Sequence, residues 1–145
     1  KGLIIGLTLS HTRAHVFNAL MEGAAYALRH NVEMAKANAI PLKPKMGLVD
    51  GGAKSRLWRK IFADVTKFPL LYVAESPGTP LGDALLSGVG TGVIKGYEVM
   101  SDWVKSAEVQ EPDPEAAKVY DRYYEVYLRL YERNEESFRE LYDMV

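Results

Sequence analysis

The chain has 145 residues, 48% of them hydrophobic and 26% charged, which is typical of one folded domain. A formal net charge of −1 argues against a nucleic-acid partner, and the lack of cysteine excludes disulfides and thiolate metal sites. No apolar run approaches the roughly 20 residues of a membrane span, and no secretory signal pattern opens the chain. We therefore expect no membrane partner and a cytoplasmic location.

The N-terminal part predicts a short strand followed by a long helix. Residues 3–9 are apolar and rich in β-branched side chains, which favours a strand. Ser10 is predicted as the N-cap of a helix that runs to about Asn38 and ends before Pro41. The predicted apolar face of this helix consists of Val16, Leu20, Gly23, Ala24, Ala27 and Leu28.

His11 and His15 lie four residues apart in this predicted helix and could share a metal ion. No His-Glu-x-x-His arrangement accompanies them, so polar packing at the start of the helix is the preferred interpretation. We predict no metal site.

Two strand–helix units are predicted next. Residues 45–49 form a buried strand, a turn follows at Asp50-Gly51-Gly52, and Ser55 caps a helix that extends to about Thr66. The buried stripe of this helix is predicted to be Leu57, Trp58, Ile61, Phe62 and Val65. Residues 69–74 form a second strand, and a Gly-rich helix extends from Thr79 to about Ile94. Strands that alternate with helices indicate an α/β fold with at least one parallel crossover.

The C-terminal part is predicted to be a loose stretch, 101–111, followed by one long helix. Pro112-Asp113-Pro114 is a stop-and-restart signal, and the helix covers about Glu115 to Asp143. Its tyrosine stripe is predicted to lie in the core, with hydroxyls at the rim: Tyr120, Tyr123, Tyr127 and Tyr131. Residues 88–92 (GVGTG) superficially suggest a dinucleotide loop, but they fall inside a helical pattern, which favours close packing.

The segment 46–55 carries the strongest signal for chemistry. It reads MGLVDGGAKS, a strand, a tight Gly-rich turn and the start of a helix. Glycines can take positive φ and leave no Cβ in the way of a ligand, and a helix N-terminus favours phosphate. Paired glycines also occur in plain strand-to-helix turns, and neither the P-loop nor the Rossmann fingerprint is matched. On spacing alone, both interpretations stay open.

Four ordered segments follow one family pattern. They are residues 6–23 (GLTLSHTRAH, then ALMEG), 50–65 (DGGAKSRLWRKIFADV), Glu75 with 80–86 (PLGDALL), and 112–131 (PDP, then Tyr120, Tyr124, Tyr127, Leu130 and Tyr131). With these the chain resembles the FGGY carbohydrate kinases, most closely their xylulose kinases, and residues 50–65 resemble the family's adenosine-binding motif. Asp50 stands where many xylulose kinases have a third glycine, although an aspartate there is typical of the related glycerol kinases.

The resemblance implies an actin-like, ribonuclease-H-like fold in which two lobes close over ATP, with Mg²⁺, and a sugar. Residues 1–145 would then be the C-terminal nucleotide-binding fragment, the later part of the second lobe. The predicted nucleotide contacts are Gly51, Gly52 and Ala53 along the phosphates and ribose, and Ser55, Arg56 and Leu57 near the adenine. The implied function is transfer of the γ-phosphate of ATP to a hydroxyl of a xylulose-like sugar.

The same resemblance implies that much of the site lies outside this chain. The general base, an aspartate, would lie in the missing N-terminal lobe together with most sugar and Mg²⁺ contacts, so we expect this fragment alone to be inactive. The lack of an initiator Met then favours a chain cut from a longer polypeptide over a tag remnant. Glu22 is either a buried structural carboxylate or a contact made on lobe closure. A non-catalytic actin-like half-domain, acting as an assembly or regulatory module, is the alternative, and a homo-oligomer stays open.

Overall fold

The computed structural model describes residues 2–73, 78–103 and 107–144, with only the backbone of Asp50. In chain order its elements are α1 (Arg13–Ala37), β1 (Met46–Leu48), α2 (Asp50–Ala53), α3 (Arg56–Thr66), β2 (Leu70–Tyr72), α4 (Thr79–Gly90), a 3-10 turn (Tyr97–Val99), α5 (Met100–Trp103), β3 (Glu108–Gln110) and α6 (Pro114–Asp143). None of the helices in these ranges has the length and apolar character that crossing a membrane requires.

The sheet has the strand order β1-β2-β3. β1 runs parallel to β2, with Met46 opposite Leu70 and Leu48 opposite Tyr72, and the connection through α2 and α3 confirms the predicted crossover. β3 pairs antiparallel with β2 and was not predicted. It lies in the stretch expected to be loose, because three residues with two exposed side chains give no periodic signal.

The N-terminal prediction was wrong in two respects. Residues 2–9 form no strand, and within the described chain they have no strand neighbour with which to pair. The N-cap of α1 is Thr12 and not Ser10, so His11 precedes the helix. The His15 ring reaches back to this cap, with its Nδ1 3.1 Å from the backbone N of Thr12.

The apolar face predicted for α1 was also wrong. Leu20 is 59% exposed, and Ala24 and Ala27 are exposed as well. The helix instead buries Met21, Ala25, Tyr26, Arg29 and Val32, and the first three belong to the core shared with α3 and α6. Apolar residues occur on more than one side of this helix, so their spacing alone does not decide which side is buried.

The core lies where α1, α3 and α6 meet. Its buried members are Met21, Ala25, Tyr26, Ile61, Val65 and Tyr124. Ile61 and Val65 confirm most of the predicted α3 stripe, and Trp58 and Phe62 pack at its edge, but Leu57 is 55% exposed. In the tyrosine stripe, Tyr120 and Tyr127 pack on the core as predicted. Tyr123 and Tyr131 are exposed, and the most deeply buried tyrosine of α6 is Tyr124.

The helix α4 begins at Thr79 as predicted and ends at Gly90, four residues before the predicted end. Gly92 takes a positive φ of 76°, and the N–H of Ile94 then donates to the carbonyl of Gly88 at 2.9 Å. The Ile94 side chain lies against Gly88, so close packing accounts for this glycine. Ala74, the predicted end of the second strand, lies outside the described residues.

Candidate functional site

The Gly-rich turn follows the carboxyl end of β1 directly. Because β1 and β2 are parallel, their carboxyl ends lie at the same edge of the sheet, with α2 and α3 following β1. Ligands of open α/β sheets bind beyond the carboxyl ends of the strands. The position of residues 50–55 in the fold is therefore that of a ligand-binding turn.

The backbone of this turn differs from the prediction. Residues 50–53 form one turn of right-handed helix, and neither Gly51 nor Gly52 has a positive φ. The N–H of Lys54 donates to the carbonyl of Gly51, and that of Ser55 to Gly52, both at 3.2 Å. These bonds satisfy backbone groups that an open loop would leave to water, which explains why the chain coils here.

The two glycines differ in what lies beside them. A Cβ added to Gly52 would lie 2.8 Å from Cζ3 of Trp58, so the Trp58 ring itself requires a glycine there. A Cβ added to Gly51 would meet nothing within 4 Å. No contact within the described parts of the chain accounts for glycine at position 51, and its open side leaves room for a ligand.

The start of α3 confirms the predicted N-cap. The Ser55 hydroxyl accepts a hydrogen bond from the backbone N–H of Trp58 at 3.3 Å. Ser55, Arg56 and Leu57 are all exposed. The first turn of a helix presents N–H groups without intrahelical partners and the positive end of the dipole, which attract an anionic group.

The six predicted nucleotide contacts therefore fall into three groups by exposure. Gly51, Ser55, Arg56 and Leu57 are exposed around the turn, and Gly52 is half-buried beneath the Trp58 ring. Ala53 is fully buried, so its side chain cannot contact a ligand. Its carbonyl accepts a hydrogen bond from Nη1 of Arg59 at 2.6 Å.

Arg59 is the residue at this turn that the sequence did not single out. It stands beside Lys60 on α3, and adjacent cations ordinarily indicate a solvated face. The structure instead buries its side chain under the turn. No pattern in the sequence distinguishes this arginine from a surface one.

The residue before α4, Gly78, has a left-handed backbone conformation. Gly78 has a φ of 75° and its carbonyl accepts a hydrogen bond from the N–H of Leu81 at 3.0 Å. This positive φ favours glycine at the residue before the helix. Glu75, which contributed to the family resemblance, lies outside the described residues.

His11 and His15 have local partners. Nδ1 of His11 lies 2.9 Å from the backbone N of Thr8, and the two imidazole rings meet edge to face with centroids 5.5 Å apart. These contacts support the predicted polar packing at the start of the helix. No group of three or more His, Cys, Asp or Glu side chains that could hold a metal ion occurs within residues 2–73, 78–103 and 107–144.

Glu22 links two helices. Its Oε1 accepts hydrogen bonds from Nδ2 of Asn18 at 2.6 Å and from the Tyr120 hydroxyl of α6 at 3.3 Å. Burial, and next the charge of Glu22, raise the pKa of Tyr120 to about 12. These contacts favour the structural interpretation of this half-buried carboxylate.

Comparison with known proteins gives one consistent result. Residues 1–91 match the model of the C-terminal domain of the FGGY family of carbohydrate kinases. A xylulose kinase of Staphylococcus epidermidis is 29% identical over 97% of this chain, which covers 28% of that protein. A gluconokinase of Bacillus licheniformis is 28% identical over 97% of the chain and covers 27% of that protein's length.

A solved structure agrees with these sequence matches. The crystal structure of xylulose kinase from Rhodospirillum rubrum superposes with a TM-score of 0.71 and 36% sequence identity, covering 92% of this chain and 27% of that one. The chain thus spans little more than a quarter of the length of the relatives that it matches.

Proposed function

This chain belongs to the FGGY family of carbohydrate kinases, whose C-terminal domain it matches, and on that premise we propose that it supplies the ATP-binding part of a sugar kinase. The complete enzyme would transfer the γ-phosphate of ATP to a hydroxyl of a xylulose-like sugar. The remaining three quarters of the relatives' length would supply the other lobe, the aspartate base and most sugar contacts. The fold class we propose for the lobe is actin-like.

One observation carries the proposal: the glycine-bearing turn lies at the carboxyl end of a parallel strand, and its open side faces solvent. Gly51 has room beside it that no atom of the described residues fills within 4 Å of an added Cβ, and the exposed start of α3 follows within five residues. A bare backbone and a helix N-terminus suit a phosphate-bearing nucleotide. We assign the phosphate and ribose side to Gly51 and Gly52, and the adenine side to Ser55, Arg56 and Leu57.

The nucleotide supplies the phosphoryl group, and the described residues supply position and charge. Phosphoryl transfer depends almost wholly on positioning and electrostatic stabilisation. In the proposed site, the exposed Arg56 places a guanidinium near the bound nucleotide, and the coiled turn presents its backbone to the phosphates. Within the described residues no group of three or more His, Cys, Asp or Glu side chains lies together, and we propose that the Mg²⁺ contacts come mostly from the missing lobe.

An ADP titration of the 145-residue chain, followed by amide NMR, tests the assignment. We expect shifts centred on Gly51, Gly52, Ser55 and Arg56. Gly51→Val fills the open space and should weaken ADP binding about tenfold or more without unfolding the chain. Gly90→Val is the matched control, because Gly90 is also helical and has nothing within 4 Å of an added Cβ.

Two results would contradict this site. One is a set of shifts centred away from residues 50–57, or none at millimolar ADP. The other is a Gly51→Val variant that binds ADP as tightly as the wild type and the Gly90→Val control.

A further inference from the structure

Arg59 lies beneath the turn and holds it from the protein side. It is 5% exposed, and its Nη1 donates to the carbonyl oxygen of Ala53 at 2.6 Å. Ala53 is the last residue of α2 and is itself fully buried. A hydrogen bond from a cation to a buried carbonyl is among the stronger bonds available inside a protein.

The guanidinium of Arg59 also contacts two strands of the sheet. Its Cζ lies 4.1 Å from the centroid of the Tyr72 ring on β2, within the range of a cation–π interaction. Its Nη2 lies 3.5 Å from Oε2 of Glu108 on β3. Arg59 therefore connects the turn to β2 and β3 through one planar group.

The other hydrogen bonds of this turn, among the described residues, are local. The hydrogen bonds from Lys54 to Gly51 and from Ser55 to Gly52 stay within the turn, and the Trp58 ring covers Gly52. They shape the turn but do not link it to β2 or β3. The bond from Arg59 to the Ala53 carbonyl does.

We propose that Arg59 is a positioning residue for nucleotide binding: it sets the distance and orientation of the Gly51–Ala53 backbone through the Ala53 carbonyl, without touching the nucleotide. The inference rests on the proposed function of the turn. Lysine cannot replace the arginine fully, because an ammonium lacks the planar fork that reaches a carbonyl and a carboxylate while lying on a ring.

The test uses the 145-residue chain and ADP, with three variants. Arg59→Met removes the charge and both hydrogen bonds, and Arg59→Lys keeps a cation that can reach the carbonyl. We expect ADP dissociation constants about tenfold higher for Arg59→Met, with Arg59→Lys in between. Glu108→Gln weakens only the contact to β3 and should leave ADP affinity within about twofold of the wild type.

A second readout separates positioning from general stability. The carbonyl ¹³C shift of Ala53 and the amide shifts of Gly51 and Gly52, without ligand, should move in Arg59→Met and recover partly in Arg59→Lys. Val65→Ala lowers stability from the same helix, away from the turn, and should change neither these shifts nor ADP affinity. Loss of ADP affinity in Val65→Ala equal to that in Arg59→Met would overturn the proposal.

The outcomes also distinguish the two proposals from each other. A wild-type chain that binds no ADP contradicts the proposed function, whatever the variants do. A wild-type chain that binds ADP at the turn, with Arg59→Met binding it equally well, contradicts the role of Arg59 alone. An unmoved Ala53 carbonyl signal in Arg59→Met contradicts that role even without ligand.

Discussion

Asp64 on α3 accepts a hydrogen bond from the backbone N–H of Asp113, with Oδ1 2.7 Å from that nitrogen. The Asp64 side chain is buried, and both of its oxygens lie 2.8 Å from Nζ of Lys60. Asp113 is in turn the N-cap of α6, where its own side chain accepts from the N–H groups of Glu115 and Ala116. One buried carboxylate therefore anchors the start of the C-terminal helix to α3.

Removing this carboxylate should destabilise the chain strongly. We expect Asp64→Ala to lower the free energy of unfolding by about 2–3 kcal/mol, because it removes the charged acceptor of the part-buried Asp113 N–H and the partner of Lys60. Asp64→Asn keeps an acceptor and should cost about 1 kcal/mol. Urea unfolding followed by circular dichroism measures both.

The control for Asp64 is Glu135→Gln, which breaks an exposed pair with Arg139 and should change stability by less than about 0.5 kcal/mol. Equal losses of unfolding free energy for Asp64→Ala and Asp64→Asn would show that the charge of Asp64, rather than its hydrogen bond to Asp113, stabilises the fold.

The loss of folding stability at acid pH should depend on Asp113 and Asp121. Hydrogen bonds from the backbone of Glu115 and Ala116 lower the pKa of Asp113. Burial raises the pKa of Asp121, but hydrogen bonds from Lys67 and Arg29 outweigh it, so the net pKa is lowered. The unfolded chain, with aspartate pKa values of about 3.9, then binds protons at a higher pH than the folded chain.

The stability from these two aspartates is therefore present above about pH 4 and is lost as the pH falls through the folded pKa values. Urea midpoints between pH 6 and pH 3 measure the loss. In Asp113→Asn/Asp121→Asn the midpoint should fall less steeply, because asparagine still caps the helix but does not titrate. Parallel slopes in the variant and the wild type would assign the acid sensitivity to other groups.

The sequence predicted the elements whose signals are local. Ser55 caps α3 as predicted because a serine three residues before a backbone donor needs no distant partner, and Pro114 marks the start of α6 in the same way. The turn at residues 50–55 was predicted from its glycines and its place after a strand, and the structure has a turn there. The helical backbone of this turn was not predicted, because glycine permits both positive and negative φ.

Features that depend on distant partners were missed. Residues 2–9 carry a strand composition, but a strand forms only where another strand lies beside it, and none does in the described chain. The short β3 exists because β2 offers it an edge, 36 residues upstream at Tyr72 and Glu108. The burial of Arg59 follows from the positions of Ala53, Tyr72 and Glu108, which only the fold brings together.

The corrected phase of α1 can be checked with two adjacent residues. Met21 is buried in the core, whereas its neighbour Leu20 is largely exposed. We expect Met21→Ala to lower the free energy of unfolding by about 2–4 kcal/mol and Leu20→Ala by less than about 0.5 kcal/mol. Urea unfolding of the two variants side by side measures the difference. A larger loss for Leu20→Ala than for Met21→Ala would instead support the buried face first predicted for α1, which includes Leu20.

The two glycines near the end of α4, Gly88 and Gly90, allow a test of whether the contact with Ile94 requires a glycine. A Cβ at Gly88 would lie 2.8 Å from Cγ1 of Ile94, whereas one at Gly90 would meet nothing within 4 Å. Gly88→Ala should therefore cost about 1–3 kcal/mol, and Gly90→Ala should be neutral or stabilising by up to about 1 kcal/mol, since alanine favours helix.

Repeating Gly88→Ala in an Ile94→Ala background tests whether Ile94 is the residue that requires glycine at position 88. Truncating Ile94 removes the atoms that a Cβ would meet, so Gly88→Ala should there become neutral or stabilising, as at Gly90. The coupling free energy from this cycle should be about 1–3 kcal/mol, measured by urea unfolding of the four proteins. Additive effects would mean that the cost at Gly88 arises from the backbone, and that the close approach of Ile94 is not what requires the glycine.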